Sequence, residues 1–276
     1  MMSGIEVIIP VRDEEENLPY ALASVVPWAK RVWVVDSGST DRTVEIARDQ
    51  GAEVVEQSWL GHAAQKNWAI DNLPLTSDWV FFLDADESVL PELRDEMLAV
   101  SSRDPATVEE SAFNVNRYFI FLGKRIRHCG YYPSWNVRFF KRGLARYEDR
   151  AVHEHMVVDG KVGAFRGHME HWDRRGLAVY LAKHVRYAEL EAAAILSQDE
   201  QSSSIDGDMQ RRRRWIKRHV YPRLPAKWLC RFLWMYVLRM GFLDGLTGLR
   251  FCVFISFYEF LITLNLVELR NEESMS

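Results

Sequence analysis

The chain has 276 residues, 48% hydrophobic and 27% charged, the proportions of an ordinary globular protein, which exclude a disordered or fibrous one. A net charge of -4 says little by itself, but the distribution is lopsided: between Arg211 and Lys227 there are eight Lys or Arg and no Asp or Glu, against an acidic remainder. Cys129, Cys230 and Cys252 lie far apart without a Cys-x-x-Cys spacing, so they suit a reducing compartment and neither a disulfide framework nor a zinc site.

Residues 1–4 carry no basic stretch, and the apolar run 5–11 is short and ends at charges, so no signal peptide is expected. That run, rich in β-branched residues, predicts a first strand, followed by a helix over 17–26. A second strand is expected over 31–36, a helix over 42–50 stopped by Gly51, a short strand over 52–56 and a helix over 61–72. Trp79 to Leu83 reads as a fourth strand, buried on both faces, and 91–100 as another helix. Strands alternating with helices of this length imply parallel βαβ units in a doubly wound α/β sheet. Beyond residue 110 the pattern changes. The aromatic-rich segments 112–122 and 126–140 suggest strands of a mixed sheet covering the site, 176–196 a helix, and the polar segment 197–208 a linker. From Trp228 to Leu269 the chain is apolar but interrupted by charges, which fits helices lying in a membrane interface better than a spanning helix.

Three predicted strands end in acids: Arg12-Asp13-Glu14-Glu15 after the first, Asp36-Ser37-Gly38-Ser39-Thr40-Asp41 after the second and Asp84-Ala85-Asp86 after the fourth. Taken singly, each is ordinary turn chemistry. In an open α/β sheet, however, the carboxyl ends of parallel strands face the ligand crevice, where paired carboxylates suit a divalent cation on a phosphorylated substrate.

These segments resemble family 2 glycosyltransferases, enzymes of GT-A fold that use nucleotide-diphosphate sugars, with Asp13 where the family's opening motif usually has Asn. The likeness extends through Tyr132-Pro133-Ser134-Trp135-Asn136-Val137-Arg138-Phe139-Phe140, Val152-His153-Glu154 and His171 toward residue 190, where it is similar to the lipopolysaccharide core glucosyltransferase branch. The resemblance implies donor-nucleotide contacts from Pro10, Val11, Arg12, Glu14, Asp36, Ser37, Gly38, Asp84 and Ala85. It implies Asp86 as ligand of Mg2+ or Mn2+, with His171 as a second ligand, and Glu154 as the base of an inverting transfer, with Asp149 as the alternative. Lys66 either meets the nucleotide or is an exposed helical lysine. Arg138 either adds positive charge near the phosphates or makes a structural salt bridge. Trp135, Tyr132 and His153 would line the acceptor and sugar pocket, although aromatics of a lid would look the same. His155 and His168 read as structural or surface residues.

The expected organisation is a GT-A-like domain over residues 1–200 and a basic, apolar helical extension over 201–276. The expected activity is metal-dependent transfer of a hexose, UDP-linked, to a cell-envelope glycan such as lipopolysaccharide core. Transfer to a polyprenyl phosphate and non-catalytic binding of a nucleotide sugar are the rival readings. The basic run, with Trp215, Tyr221 and Trp228 interleaved, points to an anionic membrane surface, hence a peripheral position at the inner face of the cytoplasmic membrane. No nucleic-acid motif accompanies it, so nucleic acid is not an expected partner.

Overall fold

The computed structural model describes residues 4–148, 155–201 and 226–275. They divide into two compact units, Met1–Arg125 with Tyr132–Arg174, and Ile126–Tyr131 with Arg175–Ser276.

The first unit is a mixed sheet flanked by helices. In chain order it runs β1 (Ile5–Val11), α1 (Leu18–Val25), β2 (Arg31–Asp36), α2 (Thr43–Asp49), β3 (Glu53–Glu56), α3 (His62–Asn72), β4 (Trp79–Phe82), β5 (Glu87–Val89), α4 (Pro91–Ser101) and β6 (Glu110–Phe121). Next come β7 (Lys124–Ile126), β8 (Trp135–Lys141), β9 (Ala145–Tyr147), β10 (Met156–Val158) and β11 (Lys161–His171). The strand order is β3-β2-β1-β4-β8-β6-β11-β5. The first four strands are mutually parallel; β8 then joins β4 antiparallel and β6 joins β8 antiparallel. Because both faces are covered, β4 is apolar throughout, and β1 is apolar apart from the buried Glu6, which accepts from the Thr76 N–H at 3.0 Å. On one face Ile5, Val7 and Ile9 pack with Leu18 and Leu22 of α1 and Leu93 and Met97 of α4. On the other, Ile8, Val80, Phe82 and Phe140 pack with Ala63 and Ala69 of α3 and with Leu73 just after it. Trp79 stacks on Phe139 at 4.7 Å.

Two differences from the sequence expectations bear on the site. The stretch 126–140 is not one strand: Cys129 and Gly130 take left-handed backbone (φ 61 and 79) and Pro133 follows, so regular pairing resumes only at Trp135. Strands β5, β9, β10 and β11 went unforeseen because three are only three residues long and β11 is polar along most of its length.

The second unit is helical: α5 (Leu177–Gln201), α6 (Lys227–Leu233), a π-helical turn Trp234–Leu238, a 3-10 turn Gly241–Asp244 and α7 (Gly245–Met275). Ala188 and Ala192 of α5 pack with Ile262 and Leu266 of α7, and Tyr258 donates to Glu191 at 2.8 Å. Gly241–Glu272 is long and apolar enough to cross a membrane by length and composition, with mean hydropathy 1.7 and 28% of that apolar window buried.

Candidate active site

The site begins where β1 and β4 part. The register of β1 with β4 stops at Ile8 opposite Phe82, and the Leu83 N–H donates to the Ile8 carbonyl at 3.1 Å. The Ser37 N–H donates to the Val11 carbonyl on the β2 side, so Pro10 faces the β4 side, where β4 has already turned away. A proline there removes no ladder hydrogen bond, which is why this central strand tolerates one.

The loops after β1 and β2 are tied together by their own acids. Asp13 adopts φ 52 and accepts from the Thr40 N–H at 2.8 Å, while its own N–H donates to Ser39 Oγ at 2.9 Å. Glu15 accepts from the Arg42 N–H at 3.1 Å, and Asp41 accepts from the N–H groups of Glu15 and Thr43. Asp36 is buried and accepts from the N–H groups of Gly38 and Ser39, an arrangement that needs the positive φ of Gly38, 83°. Asp36 thus shapes the β2 loop at the same sheet edge as Asp84 and Asp86, with β1 between them. Glu14 accepts from Asn17 Nδ2 at 2.8 Å. Arg12 is exposed, Val11 and Ser37 are buried.

At the end of β4 the acids meet cations. Asp84 accepts from Arg138 at 2.5 Å and lies 3.6 Å from Lys66 Nζ. Burial alone would raise its pKa, but the Arg138 and Lys66 charges outweigh this and hold the carboxyl well below the usual range. Lys66 also lies over the Tyr147 ring at 5.0 Å, so α3 turns it toward the crevice. Arg138 is buried and also reaches Glu87 at 3.2 Å. Burial lowers its pKa, whereas the Asp84 and Glu87 carboxylates raise it well above the ordinary value. Arg138 thus makes the ion pairs of its structural reading, with Asp84 and with Glu87.

Glu87 is the hub. It is fully buried and takes Arg117 at 3.0 Å, Arg138, and the Asp84 N–H at 3.0 Å. Against a burial effect that raises it, Arg138 first and then the His171 and Arg117 contacts bring its pKa down to about 2. Sequence reasoning missed Glu87 and Arg117. The third acid of Asp84-Ala85-Asp86-Glu87 was a usable signal for the first; Arg117 had none.

Asp86 is buried and its Oδ2 lies 3.4 Å from His171 Nε2, while His171 Nδ1 is 3.9 Å from Glu87. Burial lowers the His171 pKa, but Asp86 and then Glu87 raise it beyond its ordinary value. His171 reaches the site because β11 pairs with β5 in the register His171 to Glu87, and the Trp172 N–H donates to the Asp86 carbonyl at 2.8 Å. Asn17, fully buried, fastens the end of β11 to the β1 loop: it donates to Asp173 at 3.2 Å and accepts from the Arg174 N–H at 2.7 Å. Among the described residues no group of three or more His, Cys, Asp or Glu forms a metal cluster; Asp86 and His171 make a pair.

Tyr132 stacks with Tyr118 and bonds His168 at 3.0 Å. Burial lowers the His168 pKa. Trp135 opens β8 half-exposed, and Ala85 is buried between the two acids. Asp149, His153 and Glu154 lie outside the described residues, as does the basic run before Ala226. The described flanks of 149–154 are joined by the Glu148 N–H donating to the His155 carbonyl at 2.9 Å, and Asn67 of α3 holds Tyr147 through both its N–H and its carbonyl at 2.9 Å.

A parallel α/β core with acids gathered at one strand edge, extended by antiparallel strands, is the GT-A-like arrangement of sugar-nucleotide transferases. Residues 6–157, more than half of the chain, match the model of Glycosyl transferase family 2, and the chain belongs to that family; it is a glycosyltransferase. It is 25% identical over 280 residues to an uncharacterized glycosyltransferase of Rickettsia typhi, covering 97% of this chain and 88% of the relative. With another uncharacterized glycosyltransferase, from Rickettsia prowazekii, identity is 40% over 96 residues, which is 35% of this chain and only 32% of the relative's length. A solved glucosyl-3-phosphoglycerate synthase from Mycobacterium tuberculosis, in complex with Mn2+, UDP and glucosyl-3-phosphoglycerate, is similar at 21% identity and TM-score 0.33, over 43% of this chain and 44% of that one.

Proposed function

We propose that the chain is an inverting, metal-dependent hexosyltransferase that takes its sugar from a UDP-linked donor and delivers it to a membrane-anchored cell-envelope glycan of the lipopolysaccharide core type. The constellation at the end of β4 carries this reading: Asp84 held by Lys66 and Arg138, and Asp86 beside His171. A nucleoside diphosphate in the crevice between the β1 and β4 ends would meet Pro10, Val11 and the β2 loop through its base, and Asp84 through its ribose or sugar hydroxyls.

The donor set fits a divalent cation. Asp86 and His171 converge, and the second imidazole nitrogen of His171 is a buried polar atom without a hydrogen-bond partner, 3.9 Å from the Glu87 carboxylate, the group that would take the outer hydrogen bond of a ligating histidine on a small approach. Two protein ligands suffice where substrate phosphates complete the shell. Bound there, Mg2+ or Mn2+ would neutralise charge on the departing diphosphate. This chain's own residues do the rest. Glu87 fixes Arg138 and the Asp84 N–H, Lys66 offers positive charge over the crevice, and Glu154, with Asp149 as the alternative, would accept the acceptor hydroxyl's proton. An ordinary carboxylate is ionised near neutrality and needs no shift for that task.

The membrane part rests on the helical unit, where Leu238, Leu246, Leu243 and Phe257 stand 72, 60, 57 and 51% exposed, and on the basic run. The proposed division is a catalytic region to about residue 200 and a membrane-associating extension after it, with α5 packing on α7 in the helical unit.

The test is turnover of UDP-, GDP- and dTDP-sugars with Mn2+ by the full chain and by Asp86→Ala and Glu154→Gln. A UDP-sugar is expected to be used, Asp86→Ala to lose Mn2+-dependent donor stabilisation, and Glu154→Gln to lose about 10²–10⁴-fold in transfer while still binding donor. Equal turnover in Asp86→Ala overturns the metal site, and retained transfer in Glu154→Gln moves the base to Asp149.

A further inference from the structure

Cys129 and Cys252, 123 residues apart, bring their sulfurs within 3.5 Å inside the helical unit. Both side chains are fully buried, and both cysteines are free. Several features hold them there. Cys129 sits in left-handed backbone, φ 61, with its N–H donating to the Arg239 carbonyl at 3.1 Å. Asp244 accepts from the N–H groups of Arg127 and His128 at 3.2 and 2.9 Å, pairs with His128 Nδ1 at 2.9 Å, and lies 3.7 Å from the Cys129 sulfur. Opposite, Gly241 leaves the room the sulfurs occupy: a Cβ there would stand 2.9 Å from each of them. The backbone strain at Cys129, the buried carboxylate and the missing side chain at Gly241 all converge on one thiol pair.

We propose that Cys129 and Cys252 form a dithiol site that a hydroperoxide, hydrogen peroxide being the simplest, oxidises to an intrachain disulfide. One thiol, taken as that of Cys252, gives up its proton and, as the thiolate, attacks the peroxide oxygen. The O–O bond breaks, the departing hydroxide takes up the proton that thiol released and leaves as water, and a sulfenic acid remains. The Cys129 sulfur then attacks the Cys252 sulfur; the S–O bond breaks and the departing hydroxide takes the Cys129 proton, with Asp244 at hand to pass it. Two thiols lose two electrons, one peroxide becomes two waters, and the segment 126–131 is covalently tied to α7. Cys230, exposed, takes no part.

The experiment uses the full chain in detergent, reduced, freed of reductant, exposed to hydrogen peroxide, then alkylated and digested without reduction for mass spectrometry. A Cys129–Cys252 linked peptide is expected in monomeric chain and in Cys230→Ser, falling to background in Cys129→Ser and Cys252→Ser. Held together by the fold, the pair should close at least about tenfold faster than in urea-unfolded chain. Recovery of both residues as alkylated thiols or as separate sulfinic acids overturns the proposal. So do crosslinks confined to Cys230, or closure no faster in the folded chain than in the unfolded one. None of these outcomes depends on the transferase reading.

Discussion

Replacing Glu87 by glutamine keeps the shape of the site and removes one buried charge. In the native chain this carboxyl is fully buried between Arg138 and Arg117, with a pKa of about 2 against an ordinary 4.5. At about 1.4 kcal/mol per pH unit, that difference is about 3 kcal/mol of folding stability. Loss of one partner from a buried ion pair typically costs about 3–5 kcal/mol, in agreement. The sign follows from the folded pKa lying below the unfolded one. The contribution is complete above 4.5 and disappears as pH falls toward 2. Urea unfolding of the metal-free chain in chelator, followed by circular dichroism with the sheet's transition fitted apart from that of the helical unit, measures it. Glu87→Gln should be less stable by about 3 kcal/mol near neutrality and by about 2 kcal/mol near pH 3.5. A penalty under about 1 kcal/mol at neutrality, or one that does not shrink in acid, would refute Glu87 as the electrostatic hub.

Three further outcomes are expected. Asn17→Ala strips the β11 end of its tether to the β1 loop and leaves buried partners unsatisfied; it should cost about 1–3 kcal/mol and speed hydrogen exchange at the Arg174 amide, whereas unchanged exchange there counts against the tether. At Gly167 a Cβ would come within 2.3 Å of the Leu93 backbone N, so Gly167→Ala should lower the sheet unit's thermal midpoint by an amount equivalent to about 1–3 kcal/mol or more, and a neutral result would show that α4 does not press on β11 there. Sedimentation of the full chain with anionic liposomes should weaken as salt rises from about 0.1 to 1 M, because exposed charges are screened; retention indifferent to salt would point to insertion of the apolar helix instead.

The first hundred residues could be read in advance because their information is local. β1 and β2 fall where expected, and α1, α2 and α3 lie within a residue or two of expectation: short apolar runs, a glycine stop and acid-bearing turns each act within a few residues of themselves. The acids at three strand ends were visible for the same reason. Their division of labour was not. Asp13, Glu15, Asp36 and Asp41 bind backbone amides of the β1 and β2 loops, whereas Asp84 and Asp86 meet Lys66, Arg138 and His171.

A string of residues, then, already carries the α/β class, the strand edge at which the chemistry gathers and the basic, apolar character of the last third, since propensity and charge are properties of neighbours along the chain. Folding alone selects Glu87 and Arg117 as the supports of Asp84, brings His171 to Asp86 across 85 positions, and sets Cys129 against Cys252. Those pairings depend on strand order and register, and a buried charge or thiol acquires its behaviour from whichever distant groups the sheet and helices press against it.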